Sequence, residues 1–466
     1  MRQKKTPGAP SEGMTRTERR ATLGLAGIYA LRMLGLFLIL PVFSLYAADH
    51  LSGATPLLIG LAIGAYGLSQ ALLQIPFGVL SDRYGRKPVI VGGLLIFALG
   101  SVVAALSDSI TGVIIGRVLQ GAGAIAAAVM ALAADLTREE QRTKAMASIG
   151  VTIGLSFAFA LVAGPILNTW IGVPGIFWLT ALLALGGIGV LYAAVPRVVH
   201  SRFHRDTEAA PGQFKRVLAD AELMRLNTGI LTLHMILMAS FVALPPALRD
   251  HAGLAGEHHW YVYLPVLLLG MLAMVPFIIV AEKKRRMKQV FVGAIVLLSL
   301  SEALLGLTYQ SAAGIAFALF LFFTAFNILE ASLPSLVSKA APLDGKGTAL
   351  GVYSTAQFLG AFLGGATGGW LYGAYGLAGV FAFCAVAAAL WALLALGMPQ
   401  PRYVRTHMLN VGKVDAAQAQ SLAQRLLTVP GVKEATVIAE DGIAYLKVDS
   451  KVLDERALHE FSAARA

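Results

Sequence analysis

Cysteine is almost absent. Cys384 is the only one in 466 residues and lies inside an apolar run. No disulfide can form within one chain, and thiolates cannot cluster around a soft metal. Charge is scarce as well, at 14% of residues against 57% apolar. So few polar groups cannot cover a water-facing exterior, which excludes a soluble globular protein and leaves an integral membrane protein. There is no phosphate-binding glycine loop and no triad pattern, so ATP drive and enzymatic chemistry are disfavoured and no cofactor is expected. The first 21 residues are polar and basic and lack the short apolar core and cleavage site of a signal peptide. The first apolar run is therefore expected to be kept as an anchor.

What the chain has is long apolar runs. A helix needs roughly 20 such residues to cross a hydrocarbon core of about 30 Å. Runs of that length fall at 22–48, 56–80, 88–108, 110–135, 145–169 and 173–195. After a polar linker at 197–221 they resume at 224–248, 260–281, 289–309, 312–338, 346–372 and 375–397. The expected organisation is a tail at 1–21, a six-helix half at 22–196, the linker, a second half at 222–398 and a soluble domain at 402–466.

The formal charge of +11 is distributed by loop. The turns after the even-numbered spans, with the linker, hold Arg83, Arg86, Lys87, Arg138, Arg142, Lys144, Arg197, Arg202, Arg205, Lys215, Arg216, Lys283, Lys284, Arg285, Arg286, Lys288, Lys339 and Lys346. The opposite turns offer only Arg249. Short cationic loops stay in the cytoplasm, so both termini and the soluble domain are expected inside. The basic excess is then a topology signal, and no nucleic-acid partner is needed to explain it.

The two halves echo each other. Asp82 and Arg86 end the second span, and Glu282 and Arg286 stand at the same spacing at the end of the eighth. Related halves suit a transporter that exposes a midplane site to each side in turn.

At these residues the chain resembles the major facilitator superfamily. Gly78, Asp82, Gly85, Arg86 and Lys87 match its signature turn between helices 2 and 3. Arg117, Gln120, Gly121, Gly123 and Ala124 look like its helix 4 motif. Leu31-Arg32-Met33-Leu34, Asn327-Ile-Leu-Glu330 and the soluble tail resemble its YajR-type drug-efflux branch. The fold so implied is all-α, with twelve transmembrane helices in two six-helix halves. The antiporter motif of helix 5 keeps Gly164-Pro165, but Ala160 replaces a glycine and Asn168-Thr169 replace its closing pair.

Asp82 and Arg86, four apart, share one face of a helix end, and Gly85 permits the tight turn that follows. The resemblance implies that Asp82 meets the start of helix 11, near Gly345-Lys346-Gly347, with Asp135 joining the network. The turn then reads as a latch on the outward-open state, with Glu282 and Arg286 as its second-half counterpart. The alternative is a solvated, topology-setting loop. For Arg117 the resemblance implies proton transfer; an arginine bonded to carbonyls of neighbouring helices is the alternative.

Three other ionisable residues lie deep. Arg32 and His234 each follow the inner start of their span by ten residues, about 15 Å, and Glu330 precedes Lys339 by nine, about 14 Å. All three reach similar depth, and the family fold places their helices around a central cavity. Burial disfavours the charged form of a carboxylic acid, so Glu330 is the expected proton carrier, with His234 as a second titrating group and Asn327 on the same polar stripe. A fixed Glu330–Arg32 salt bridge and a histidine hydrogen-bonded between helices are the alternatives. Glu302, near the outer end of its helix, reads as an interfacial or helix-pair residue. The expected partners are a small-molecule substrate, protons and the bilayer.

After Pro401 the composition turns soluble. The pattern gives a strand at 406–411, a capping box Asp415/Gln418 opening a helix, strands at 435–439 and 443–448 around Asp441-Gly442, and a helix at 454–464. This order resembles a ferredoxin-like module, of the heavy-metal-associated or YAM type, lacking a last strand. The first strand–helix loop, Gly412-Lys413-Val414-Asp415, carries no cysteines, so no metal is expected. The module could dock on the membrane halves or on another copy. Three functions compete: proton-coupled export of drug-like molecules, proton-coupled or facilitated import of a metabolite, and a membrane-anchored sensor.

Overall fold

A computed structural model describes residues 13–196, 211–343, 345–401, 405–439, 442–449 and 452–462. The elements run α1 (Arg16–Phe37), α2 (Phe43–His50), α3 (Pro56–Tyr84), α4 (Arg86–Ala105), α5 (Ile110–Ala122), α6 (Ala126–Asp135), α7 (Glu139–Ala193), α8 (Phe214–Ala219), α9 (Ala221–Pro246), α10 (Trp260–Lys283), α11 (Met287–Thr308), α12 (Ala312–Ala340), α13 (Lys346–Leu396), β1 (Arg405–Asn410), α14 (Ala416–Leu427), β2 (Val432–Ile438), β3 (Ile443–Val448) and α15 (Glu455–His459). In hydrocarbon every backbone N–H needs an internal partner, and a helix supplies one at all positions except its ends. Polar residues meet that need where the apolar runs begin: Thr15, Thr55, Ser109, Asp220 and Ser311 each accept from a first-turn N–H.

Among the described residues nine helices are long and apolar enough to cross a membrane. The expected runs differ from these in how they are divided. Residues 144–193 and 346–396 form stretches of 50 and 51 residues, about 75 Å each, more than twice the hydrocarbon thickness. Each is two helices meeting at a glycine in a left-handed conformation, Gly172 (φ 65°) and Gly376 (φ 67°). The run 22–48 is divided at 38–42, beside Pro41, into α1 and α2. The run 110–135 is divided at Gly123 into α5 and α6. The described part of the linker is not wholly extended, since 214–219 form α8 against α9. The rest of it, with Arg197, Arg202 and Arg205, lies outside the described residues, as do residues 1–12, Asp441 of the expected turn and the last residues of the expected final helix.

The first part of α13 is the structural keystone. Gly360 and Gly364 press on the backbone of α9: a Cβ on either would lie 2.1 Å from the carbonyl oxygen of Leu231 or Met235. On the other side Gly365 faces Gly60 of α3, where a Cβ would lie 2.4 Å from the Gly60 oxygen. Small residues on two faces let one helix contact both halves at backbone distance. A partly exposed ion pair also crosses the molecule at one end, where Arg249 pairs with Asp49.

The tail forms a three-stranded antiparallel sheet in the order β1-β3-β2. Asp415 and Gln418 make the expected capping box. Ala444, Leu446 and Val448 of β3 pack with Leu426 and Leu458 of α14 and α15, while Ile443 and Tyr445 on the opposite face cluster with Leu343 of the membrane region.

Candidate functional site

Three helices of the second half converge on one polar group. His234 comes from α9, Asn327 and Glu330 from α12, Tyr353 and Gln357 from α13. Gln357 Nε2 donates to Nε2 of His234 at 2.8 Å and lies 3.5 Å from Oε1 of Glu330. His234 Nε2 is 4.0 Å from Oε2 of Glu330. With the amide in this orientation the imidazole accepts at Nε2, so the ring stands neutral between two polar neighbours. Pro334, four residues beyond Glu330, offers no N–H to the Glu330 carbonyl, which loosens α12 at this level.

Glu330 is deep along its helix, yet 34% of its side chain is accessible, against 11% for His234. The side chain is thus partly open at that depth, although its Oε2 atom is itself buried. Among the described residues Glu330 Oε2, Asn327 Nδ2 and the Tyr353 hydroxyl have no protein hydrogen-bond partner. Such groups are costly to bury unless something else meets them, which makes them suited to a ligand. An aromatic wall bounds the group. Phe157 of α7 stacks on Phe326 at 6.2 Å and lies 6.2 Å from Phe323 and 6.3 Å from Phe241, while Phe326 lies 6.0 Å from His234.

Arg32 does not join this group, contrary to expectation. Its side chain is fully buried in the first half, where Nη2 donates to Gln70 Oε1 at 2.6 Å and to the Gly123 carbonyl at 3.2 Å. The helix break at Gly123 frees that carbonyl, and the rings of Tyr66 and Phe97 lie 5.6 and 5.7 Å from the guanidinium carbon. A fixed Arg32–Glu330 bridge is therefore not formed. Arg117 donates to the Ala62 and Ile63 carbonyls of α3 and to Gln120, which in turn donates to Ser101. This is the arginine bonded to neighbouring backbone. Gly121 lets α5 approach α3 closely, since a Cβ there would lie 2.2 Å from the Tyr66 carbonyl.

At the first junction Arg86 pairs with Asp82 and with Asp135 at 3.3 Å, and donates to Ser81 at 2.9 Å. The Asp135 side chain is wholly buried and that of Arg86 is 4% accessible. Gly78 faces Ala127 of α6. Lys87 donates to the Val195 and Leu191 carbonyls, so it closes the end of α7. Here Asp82 meets Arg86 and Gly345 lies against Pro342 and Gln213; the contact of Asp82 with 345–347 is expected only when the cytoplasmic ends close together.

The second junction does not repeat the first. Glu282 pairs with Lys339 at 3.2 Å rather than with Arg286. Arg285 takes φ 54°, so the chain leaves α10 before Arg286 and the two no longer share a helical face. Arg285 instead reaches Asp449 of the small domain at 2.8 Å.

Elsewhere, Gly164 with Pro165 seats α7 against the break in α1; a Cβ on Gly164 would lie 2.4 Å from the Leu38 carbonyl. Glu302 is fully buried and accepts from Ser240 of α9 at 2.7 Å, a helix-pair contact. Glu18, ahead of the first apolar run, accepts from the Arg138 backbone and guanidinium, both at 2.9 Å, and that guanidinium holds its carboxyl down at about 2. Sequence reasoning missed Gln357, Tyr353, Gln70 and the Glu18–Arg138 pair. The first three are uncharged polar residues in apolar helices, and their presence in such runs was the available signal.

Comparison with known proteins agrees with this architecture. Residues 25–365 match the Major Facilitator Superfamily model, and residues 414–461 match the YajR YAM domain. The chain is 51% identical over 439 residues to the inner membrane transport protein YajR of Escherichia coli, covering 94% of this chain and 96% of that protein. It is 27% identical over 350 residues to the multidrug resistance protein MdtH of Yersinia enterocolitica, covering 73% and 84%. In structure it is similar to the human organic anion transporter MFSD10 (TM-score 0.61, 19% identity, covering 82% of this chain and all of that one). A bacterial homologue of the lysosomal transporter Spinster is also similar (TM-score 0.68, 12% identity, 82% and 97%). The protein is a multi-pass inner-membrane transporter rather than an enzyme, and it belongs to the major facilitator superfamily, with a YAM domain at its C-terminal end.

Proposed function

We propose that the protein is a proton-coupled exporter of drug-like or amphipathic small molecules, working by alternating access in exchange for protons. The observation that carries this reading is Glu330, an acidic side chain deep in α12 that is 34% accessible, with a buried and unpartnered Oε2, beside His234 and Gln357. Substrate enters from the cytoplasm or inner leaflet while Glu330 is ionised, and protonation from outside favours release. One proton moving down 100 mV supplies about 2.3 kcal/mol, enough for substantial accumulation. The likeness to multidrug resistance proteins and the aromatic wall at Phe157, Phe323 and Phe326 support an apolar substrate.

In this reading the chain crosses the membrane twelve times in two halves, 22–196 and 222–398. The two glycine-broken helices count as two crossings each, and α1 with α2 as one. Both termini and the small domain are cytoplasmic, following the cationic loops. Asp49–Arg249 closes the outer end, and the Asp82–Arg86–Asp135 network is the latch that engages the second half when the inner end closes. The small domain docks on the inner face of the second half through Arg285–Asp449 and Leu343.

A second reading is proton symport, and the departures at Ala160, Asn168 and Thr169 from the antiporter pattern favour it. Proteoliposomes loaded with a pH-sensitive dye separate the two. Export predicts substrate-dependent proton movement opposite to substrate, whereas movement in the same direction establishes the second reading and overturns the first.

A further inference from the structure

The first half holds two guanidinium groups where a membrane protein can least accommodate uncompensated charge. Arg32 is 0% and Arg117 1% exposed, and among the described residues neither pairs with an Asp or Glu. Their acceptors are all neutral: Gln70 and Gly123 for Arg32; Ala62, Ile63 and Gln120 for Arg117. Both flank one ring, since their guanidinium carbons lie 5.6 and 5.3 Å from the Tyr66 centroid. Neutral oxygens and a ring quadrupole offset part of the desolvation of two cations, but they leave the net charge in place. Arg32 is also incompletely bonded. Its Nε and Nη1 are buried and face no acceptor among the described residues. Buried N–H groups of a cation left in that condition are strongly unfavourable, and an anion meets both the charge and the donors.

We infer that Arg32, with Arg117 and Tyr66 behind it, forms a binding site for a small monovalent anion or the carboxylate head of an anionic molecule. The site is set into the first half next to the interface with the second. Its cover is Phe358 of α13, whose ring lies 6.2 Å from that of Tyr66 and packs on the cluster containing Tyr29, Met33 and Phe97. Phe358 follows Gln357, which holds His234 and lies beside Glu330. Movement of α13 away from α3 therefore uncovers the anion site and disturbs the Gln357 bridge in one step. The site requires neither proton coupling nor export, so it stands or falls separately from those assignments.

The test is binding, read without transport. The full-length protein in detergent, in sodium sulfate at constant ionic strength, so that the background anion is neither monovalent nor a carboxylate, is titrated with sodium chloride and separately with sodium benzoate while thermal unfolding is followed by tryptophan fluorescence. A ligand of the folded state raises the midpoint in a saturable way, here by about 2–4 °C. Saturation by chloride alone identifies an inorganic-ion site, and saturation by benzoate at lower concentration identifies a carboxylate-head site. Arg32→Gln removes the response. A flat wild-type titration with both anions, or an equal shift in Arg32→Gln, overturns the inference. Should Arg32→Gln fail to fold, Phe358→Ala, which keeps both cations and removes the cover, lowers the half-saturating concentration at least about threefold; an unchanged half-saturation there also overturns it.

Discussion

The two junctions at 78–87 and 282–288 carry carboxylate and guanidinium at the same spacing and use them differently. In the first, Arg86 is buried between Asp82 and Asp135, and Gly85 (φ 92°, ψ 149°) turns the chain in a region that only glycine enters readily. In the second the turning residue is Arg285 in the left-handed helical region, and Glu282, 49% exposed, finds Lys339. Repeated spacing fixes where charges fall, but the residue at the end of the next-but-one helix selects the partner. That residue is Asp135 in the first half and Lys339 in the second. The first junction therefore becomes a buried network, while the second becomes a solvent-facing pair with a cation left over for the small domain.

The largest contrast comes from breaking each pair. Arg86→Ala removes the cation beside a buried carboxylate and is expected to cost about 3–5 kcal/mol in chemical unfolding, whereas Lys339→Ala costs under about 1 kcal/mol. Equal costs would erase the distinction between the junctions. Next comes the turn itself. Gly85→Ala forces a side chain into a strained conformation and is expected to destabilise by about 1–3 kcal/mol, while Arg285→Gly, which relieves a left-handed arginine, leaves backbone stability about level.

These contrasts show where sequence stops being informative. The apolar runs were legible because hydrocarbon thickness sets a minimum length that few other segments reach, and Thr15, Thr55, Ser109 and Ser311 mark their starts. Divisions inside the runs at Gly123, Gly172 and Gly376 were not, because a glycine within an apolar stretch reads the same whether it packs or bends. Depth along a helix placed Glu330 and His234 near one another, but it gives height without azimuth, so it set Arg32 beside them when that side chain faces Gln70 instead. Gln357 escaped because an uncharged amide changes neither charge nor period.

Smaller effects sharpen the comparison further. Arg285→Ala is expected to loosen the small domain, read as faster hydrogen exchange in β3, with the stability of the membrane region unchanged. The same substitution at Arg286 should leave β3 protected. The smallest effect is at Glu18. Its carboxyl is held at about 2 in the folded protein, below the ordinary value of about 4.3 in an unfolded chain. A depressed value contributes stability that is fully present above about pH 4.3 and is lost as pH falls toward 2. The deficit of Glu18→Gln in thermal midpoint is therefore constant from pH 7 to 5 and shrinks below that.

The central claim is that Glu330 carries the proton that drives substrate movement. Substrate accumulation driven by an imposed proton gradient, compared with substrate exchange without one, tests it in proteoliposomes containing Glu330→Gln. The account predicts that gradient-driven accumulation is abolished while exchange of substrate across the membrane persists; undiminished proton-driven accumulation in that variant would contradict it.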